Sequence, residues 1–234
     1  MKNRRFEIVL AAVLAVVYLG FAYWQSGSPL TPPEVDGYLE ALERQLPKDL
    51  EDRAEFLARL RVWGENDDGK PVLMLNLMRF HKTLQPFPGA PDQGTPAEAN
   101  AFYERAVTPM LLKRRGYPLV GGNTTRVRGM DSPESNLLVY DTALDNWDRV
   151  VVVRYPCRRA FLDLVSDPDY LKVMPYKLAA LKVALVPVSA TLVVPDLRWV
   201  IGGGCVAVFL LAGWARAARR SPGRKAAPDG GTGD

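Results

Sequence analysis

The chain has 234 residues and a formal charge of +4, and once two apolar terminal stretches and a polar tail are set aside, enough remains for one domain of ordinary size. The basic excess lies outside that domain: residues 1–24 carry Lys2, Arg4 and Arg5 against Glu7, residues 215–234 carry Arg216, Arg219, Arg220, Arg224 and Lys225 against Asp229 and Asp234, and the stretch between holds 22 basic and 23 acidic residues. No nucleic-acid partner is expected, and the two cysteines, Cys157 in the middle of the chain and Cys205 in the second apolar stretch, predict no internal disulfide.

From Phe6 to Trp24 the chain reads FEIVLAAVLAVVYLGFAYW, about 28 Å as a helix, which matches the hydrocarbon core of a bilayer. Lys2, Arg4 and Arg5 precede it, and Tyr18, Tyr23 and Trp24 crowd its far end. That pattern predicts a transmembrane anchor over residues 1–24 with a cytoplasmic N-terminus. A cleaved signal peptide is the competing reading, but the apolar run exceeds an h-region of about 7–15 residues and the QSGSP that follows offers no clean small-x-small site.

Residues 25–69 read as a linker and a helical pair, Glu34–Leu46 and Leu50–Trp63, broken near Pro47, with Val35, Tyr38, Leu39 and Leu42, then Phe56, Leu57 and Leu60, at helical spacing. The ENDDGKP segment that follows has no glutamate at the spacing of a calcium loop, so it predicts a turn. Pro71–Phe80 (PVLMLNLMRF) is a nearly continuous apolar run of strand length, predicting a sheet interior covered on both faces. Alternation divides it into Leu73, Leu75, Leu77 and Arg79 on one side and Val72, Met74, Asn76 and Met78 on the other.

Pro96–Arg115 predicts a helix kinked at Pro109, and Tyr117–Arg128 a strand with a bulge or close approach at Gly121-Gly122. After an ambiguous piece at Leu137–Tyr140, Trp147–Tyr155 (WDRVVVVRY) predicts a second central strand. Helical spacing returns over Cys157–Leu164 and Tyr170–Leu181, and Ala184–Val194 predicts a last strand. The order strand, helix, strand, strand, helix, strand is that of a ferredoxin-like βαββαβ domain, so the fold class expected is α+β. Trp199–Trp214, bracketed by tryptophans and followed by RAARRSPGRK, predicts a C-terminal transmembrane helix over residues 198–215, ahead of a disordered cytoplasmic tail over 216–234. Both basic flanks agree on one topology in a bacterial inner membrane: two cytoplasmic termini and an extracytoplasmic domain between two lipid-embedded helices.

VLMLNLMRF, YPLVGG and above all WDRVVVVRYPCRRAFLDLVSDPDYL resemble the dimeric α/β-barrel superfamily, in particular its small members of unassigned function, over about residues 70–194. The resemblance implies a ferredoxin-like subunit that pairs sheet to sheet with a second copy and leaves a cavity between sheet and helices or within the barrel. The wider superfamily includes cofactor-free monooxygenases, haem enzymes and muconolactone isomerase-like proteins, so it does not choose a reaction.

Asn76 and Arg79 are the first candidates for a site, because so apolar a strand gains nothing from an amide or guanidinium that lacks a partner or ligand. Arg154 stands in the second central strand and could join Arg79 in holding a carboxylate or enolate; an ion pair with Asp148 is the alternative. Tyr103 and Tyr117 could line a pocket or serve as core aromatics. His81, the single histidine, follows a strand end, where it could accept a proton or ligate haem, or sit at the surface. One histidine and no CxxC pair predict no metal site and no obligatory cofactor. The functional expectations are a membrane-anchored domain binding a small apolar or carboxylate-bearing molecule, a non-catalytic dimerisation module, or a cofactor-independent monooxygenase or isomerase.

Overall fold

The structure is a computed structural model that describes residues 2–48, 52–125, 127, 135, 137, 146–189, 193 and 196–219. Among these it is a mixed α+β protein with seven helices and one four-stranded antiparallel sheet. Of the expected piece at Leu137–Tyr140 only Leu137 is described, and of the expected strand end beyond Val188 only residues 189 and 193; past Asn123 the described residues 124, 125 and 127 are not strand.

Helix α1 (Lys2–Trp24) contains the segment Phe6–Trp24, which, with a mean hydropathy of 2.2 and nothing buried against the domain, is long and apolar enough to cross a membrane. Residues after it run along the domain. Arg115 Nη1 donates to the carbonyls of Trp24 (2.5 Å) and Ser26 (3.2 Å), and Arg154 Nη1 donates to Gln25 Oε1 at 2.6 Å. The Leu30 amide then donates to Asp67 Oδ2 at 3.0 Å. Asp67 also receives the Gly69 amide at 3.1 Å and faces Arg158 Nε at 3.7 Å, so the carboxylate of the acidic ENDDGKP turn fastens the linker. Gly69 turns the chain at φ +70°, a conformation open to glycine.

Helix α2 (Pro32–Gln45) begins where Thr31 donates its amide to Glu34 Oε2 at 2.8 Å and Pro32 takes the first turn. Helix α3 (Arg53–Glu65) follows. Their apolar stripes, Val35, Leu39, Leu42 and Leu60, enter the same core as Leu162 and Tyr155, so the helical pair shares one core with the sheet.

Strand β1 (Val72–Phe80) alternates buried and half-buried positions, and β2 (Tyr117–Asn123), β3 (Arg149–Tyr155) and β4 (Leu181–Val188) complete the sheet in the spatial order β2-β3-β1-β4. Val151 and Leu185 flank Asn76 on either side. Register slips between Pro118 and Val120, ahead of the glycine pair where a bulge is expected. Strand β4 begins at Leu181, three residues before the expected start, because its pairing with Phe80 opens directly from the preceding helix.

Helix α4 (Pro96–Lys113) is closed at its start by a reciprocal pair: the Glu98 amide donates to Thr95 Oγ1 at 3.2 Å and the Thr95 amide to Glu98 Oε2 at 2.8 Å. It runs on through Pro109. Helices α5 (Arg158–Val165) and α6 (Pro168–Ala180) lead into β4, and α4 and α6 cover the face of the sheet that carries Met74, Asn76 and Met78.

Residues 191–234 form a second unit that contains helix α7 (Leu197–Arg219). It is longer than the Trp199–Trp214 segment read from the sequence and carries into the stretch expected as tail. Its Leu197–Ala218 segment has a mean hydropathy of 1.7. At about 33 Å, it too is long enough to cross a bilayer.

Candidate functional site

Because side chains alternate along a strand, Met74, Asn76 and Met78 of β1 and Arg149, Val151 and Val153 of β3 point toward α4 and α6. Between these layers lies a cavity of about 800 Å³, walled chiefly by leucine, valine, methionine and aromatic side chains from the sheet, α4, α6 and the ends of α2 and α3. Two polar groups of residues interrupt the apolar wall.

The first joins β1 to α6. Asn76 is buried, and its amide nitrogen donates to the carbonyls of Met74 (3.1 Å) and Val151 (3.4 Å). Those bonds fix Oδ1 as the acceptor for Lys177 Nζ at 3.0 Å. The ammonium also stands 5.3 Å from the centre of the Tyr103 ring, a cation–π contact. No carboxylate among the described residues lies within ion-pair distance of it. Burial pulls the lysine down to about 8, with the charge of Glu104 opposing the shift. Lys177 as a whole is half-buried and borders the cavity.

Tyr103 stacks edge-on against Tyr170, and its hydroxyl meets that of Tyr170 at 3.4 Å. Burial, and then the neighbouring Tyr170, hold Tyr103 well above the ordinary tyrosine range, and burial raises Tyr170 as well, so at neutral pH both hydroxyls are protonated, Tyr103 donating to Tyr170, and neither is a base.

The second group is Asn100, Glu104 and Arg149. Arg149 clasps Glu104 through Nε (2.9 Å) and Nη2 (3.0 Å), and Asn100 Nδ2 donates to the same carboxylate at 3.0 Å. Asn100 Oδ1 is buried, and no donor among the described residues reaches it.

Of the residues singled out in the sequence, Asn76 and Tyr103 line the cavity together. Arg79, Arg154 and Tyr117 do not: the guanidinium of Arg79 lies over the Trp147 ring at 5.3 Å and that of Arg154 over the Tyr117 ring at 5.6 Å. The two arginines share the outer face of the sheet, but Arg154 is opposite Leu73 in the register, six residues along β1 from Arg79, which places them roughly 20 Å apart. They cannot grip one carboxylate. His81 sits past the end of β1, where its amide donates to the Ala180 carbonyl at 3.0 Å, and it does not line the cavity. Among the described residues no three His, Cys, Asp or Glu side chains converge as a metal site would require. Lys177, Asn100, Glu104 and Arg149 went unmarked in the sequence, yet Lys177 lies on the stripe of Tyr170, Met174 and Leu181, at helical spacing for an apolar face.

No protein-family model matches the chain, and no curated protein matches it. Among solved structures it is similar to RPA0582, a protein of unknown function from Rhodopseudomonas palustris, at 26% identity and a TM-score of 0.47 over 64% of this chain and 98% of that one. It is also similar to SnoaB, a cofactor-independent oxygenase from Streptomyces nogalater, at 15% identity and a TM-score of 0.33 over 54% of this chain and 99% of that one.

Proposed function

We infer that the domain over residues 70–194 is a membrane-tethered module that holds a small apolar molecule, bearing a carboxylate or carbonyl oxygen, in the cavity between its sheet and helices. One observation carries this reading: an apolar space of about 800 Å³ contains a lysine, Lys177, met by an amide and an aromatic face and, among the described residues, by no carboxylate. The volume falls within the roughly 300–1,000 Å³ of small-molecule sites. A domain serving only to dimerise would be expected to fill its interior. An acidic or carbonyl oxygen on the ligand accepts from Lys177, and a hydroxyl elsewhere on it satisfies Asn100 Oδ1.

The strand order β2-β3-β1-β4, with helices on one face, supports a ferredoxin-like arrangement. The uncovered face, with Leu73, Leu75, Leu77, Val150, Val152 and Val186 in its middle, is the surface for a second copy of the chain. The basic flanks of α1 and α7 support two cytoplasmic termini in a bacterial inner membrane, with the domain on the other side.

Displacement of anilinonaphthalene sulfonate by decanoate, measured on the full chain in lipid nanodiscs, tests the binding reading. One decanoate per chain is expected, weakened at least roughly tenfold in Lys177→Met, the loss of one charge-assisted contact. Decanoate that leaves the dye in place, or binds the variant equally well, overturns it.

A further inference from the structure

We propose that Lys177 is a nucleophilic amine that condenses with an apolar aldehyde or ketone held in the cavity, giving a protonated imine whose single N–H is received by Asn76 Oδ1. This chemistry presupposes the apolar binding argued above and goes beyond it by naming the ligand as a carbonyl compound that becomes covalently attached.

The surroundings of Nζ suit both ends of the reaction. Before it, the amine faces an apolar space, and Glu104, the acid whose charge it feels, is held by two bonds from Arg149 and one from Asn100. A lysine that no carboxylate among the described residues contacts, lowered by burial to about 8, exposes its lone pair far more often near neutral pH than a surface lysine does. After the reaction, the cation remains where a receptor for it already exists. Asn76 Oδ1 at 3.0 Å accepts one hydrogen, which is all that a protonated imine retains, and the Tyr103 ring faces the delocalised charge. Asn76 cannot turn to present its nitrogen without giving up its bonds to Met74 and Val151.

The step balances without a redox partner. The ammonium first gives up one proton to solvent, and its lone pair then forms a bond to the carbonyl carbon while the C=O π pair moves to oxygen. The oxygen takes a proton from nitrogen and a second from solvent and leaves as water. Of the three hydrogens of the ammonium, two are thus accounted for by the water and one stays on nitrogen.

The test uses the full chain in nanodiscs, with decanal and cyanoborohydride at about pH 7, where a lysine at about 8 holds on the order of a hundredfold more neutral amine than an ordinary one. The expected result is one decyl group per chain, mapped to Lys177, formed at least roughly tenfold faster than on any other lysine, with a rate that levels off once the pH passes about 8. Lys177→Arg, which keeps the charge and cannot form an imine, loses this label. Labelling spread over exposed lysines, with Lys177 no faster than they are while decanoate still binds, overturns the imine and leaves the cavity reading standing. Absence of both labelling and decanoate binding overturns the two together. Should the arginine variant fail to fold, the pH profile of Lys177 in the unaltered protein decides alone: a rate still climbing above pH 9 as ordinary lysines do rejects the proposal.

Discussion

Lys177 Nζ and Asn76 Oδ1, 3.0 Å apart across the layer between α6 and β1, bring a cation onto an amide inside the apolar cavity. The amide does not compensate the ammonium for the water it has lost, and so the amine, rather than its neighbours, adjusts.

The first prediction concerns pH. Lys177 falls from 10.5 to about 8 on folding, so between those values the unfolded chain binds more protons than the folded one, and stability rises with pH across that window. Below about pH 8 the penalty is present in full, on the order of 3 kcal/mol at about 1.4 kcal/mol per unit. Replacing the pair with Lys177→Met and Asn76→Leu removes both the penalty and the amide that would be left without a donor. Melting temperature measured from pH 6 to 10.5 should rise for the native chain relative to the double variant, and the variant should be the more stable at pH 7. Parallel curves would show that the lysine is solvated in the folded state.

Much of this arrangement can be read from the residues in order. Strand β1 announces itself as an apolar run with one amide in it, and Asn76 proves to be a member of the cavity because an amide in such a run has to be held by something. Lys177 is harder, since α6 also carries Lys172, exposed and paired with Asp169 at 2.7 Å. Only its place on the Tyr170–Met174–Leu181 stripe separates it from that solvated neighbour, and a long lysine stem is tolerated on such stripes for packing alone. Arg79 and Arg154 stood out by being charged among apolar neighbours. Their cost is met on the outer face of the sheet by the rings of Trp147 and Tyr117, and the antiparallel register that separates them is set by which strands pair, a long-range outcome that no local pattern encodes.

Glu104→Gln should lower Lys177 further. Glu104 is the charge that raises the lysine against burial, and glutamine keeps a carbonyl for Arg149 and Asn100 while removing that charge. The cyanoborohydride-labelling profile of Lys177 should move to lower pH, and the loss of a bidentate pair that is only partly covered should cost about 1 kcal/mol in thermal unfolding. An unmoved profile would mean that Arg149 already screens the carboxylate from the amine.

Gly27→Ala tests the seat of the linker. A Cβ there would stand 2.3 Å from Cys157 Cβ, 2.7 Å from its Sγ and 3.0 Å from the Gly69 carbonyl, whereas at Gly20 within α1 it would meet nothing. Gly27→Ala should therefore cost about 1–3 kcal/mol, the range for overpacking, or lift the linker and leave Arg115 without the Trp24 and Ser26 carbonyls. Gly20→Ala should change the melting temperature of the domain by no more than a degree or so, being a surface substitution. Increased proteolysis within residues 25–31 of the Gly27 variant would identify the second of these outcomes.

The last prediction addresses the bare face of the sheet. Leu75 sits at its middle, between Val152 of β3 and Val186 of β4, and Val186 and Val188 remain 42% and 38% exposed in the single chain. An apolar, strand-built surface of this kind is covered by a partner or becomes an aggregation hazard. Its two arginines stand at opposite ends of the strands, each over an aromatic ring, so the centre is free to meet an identical centre related by a twofold axis. Leu75→Lys places two like charges across that axis, at a cost of several kcal/mol. The side chain points away from the cavity, so decanoate binding and the Lys177 pH profile should be retained. Mass measurement in nanodiscs and native mass spectrometry of the detergent-released chain should show the native protein as a dimer and Leu75→Lys as a monomer. A native chain that is monomeric at every concentration, or a Leu75→Lys dimer as tight as the native one, would assign this face to some other contact.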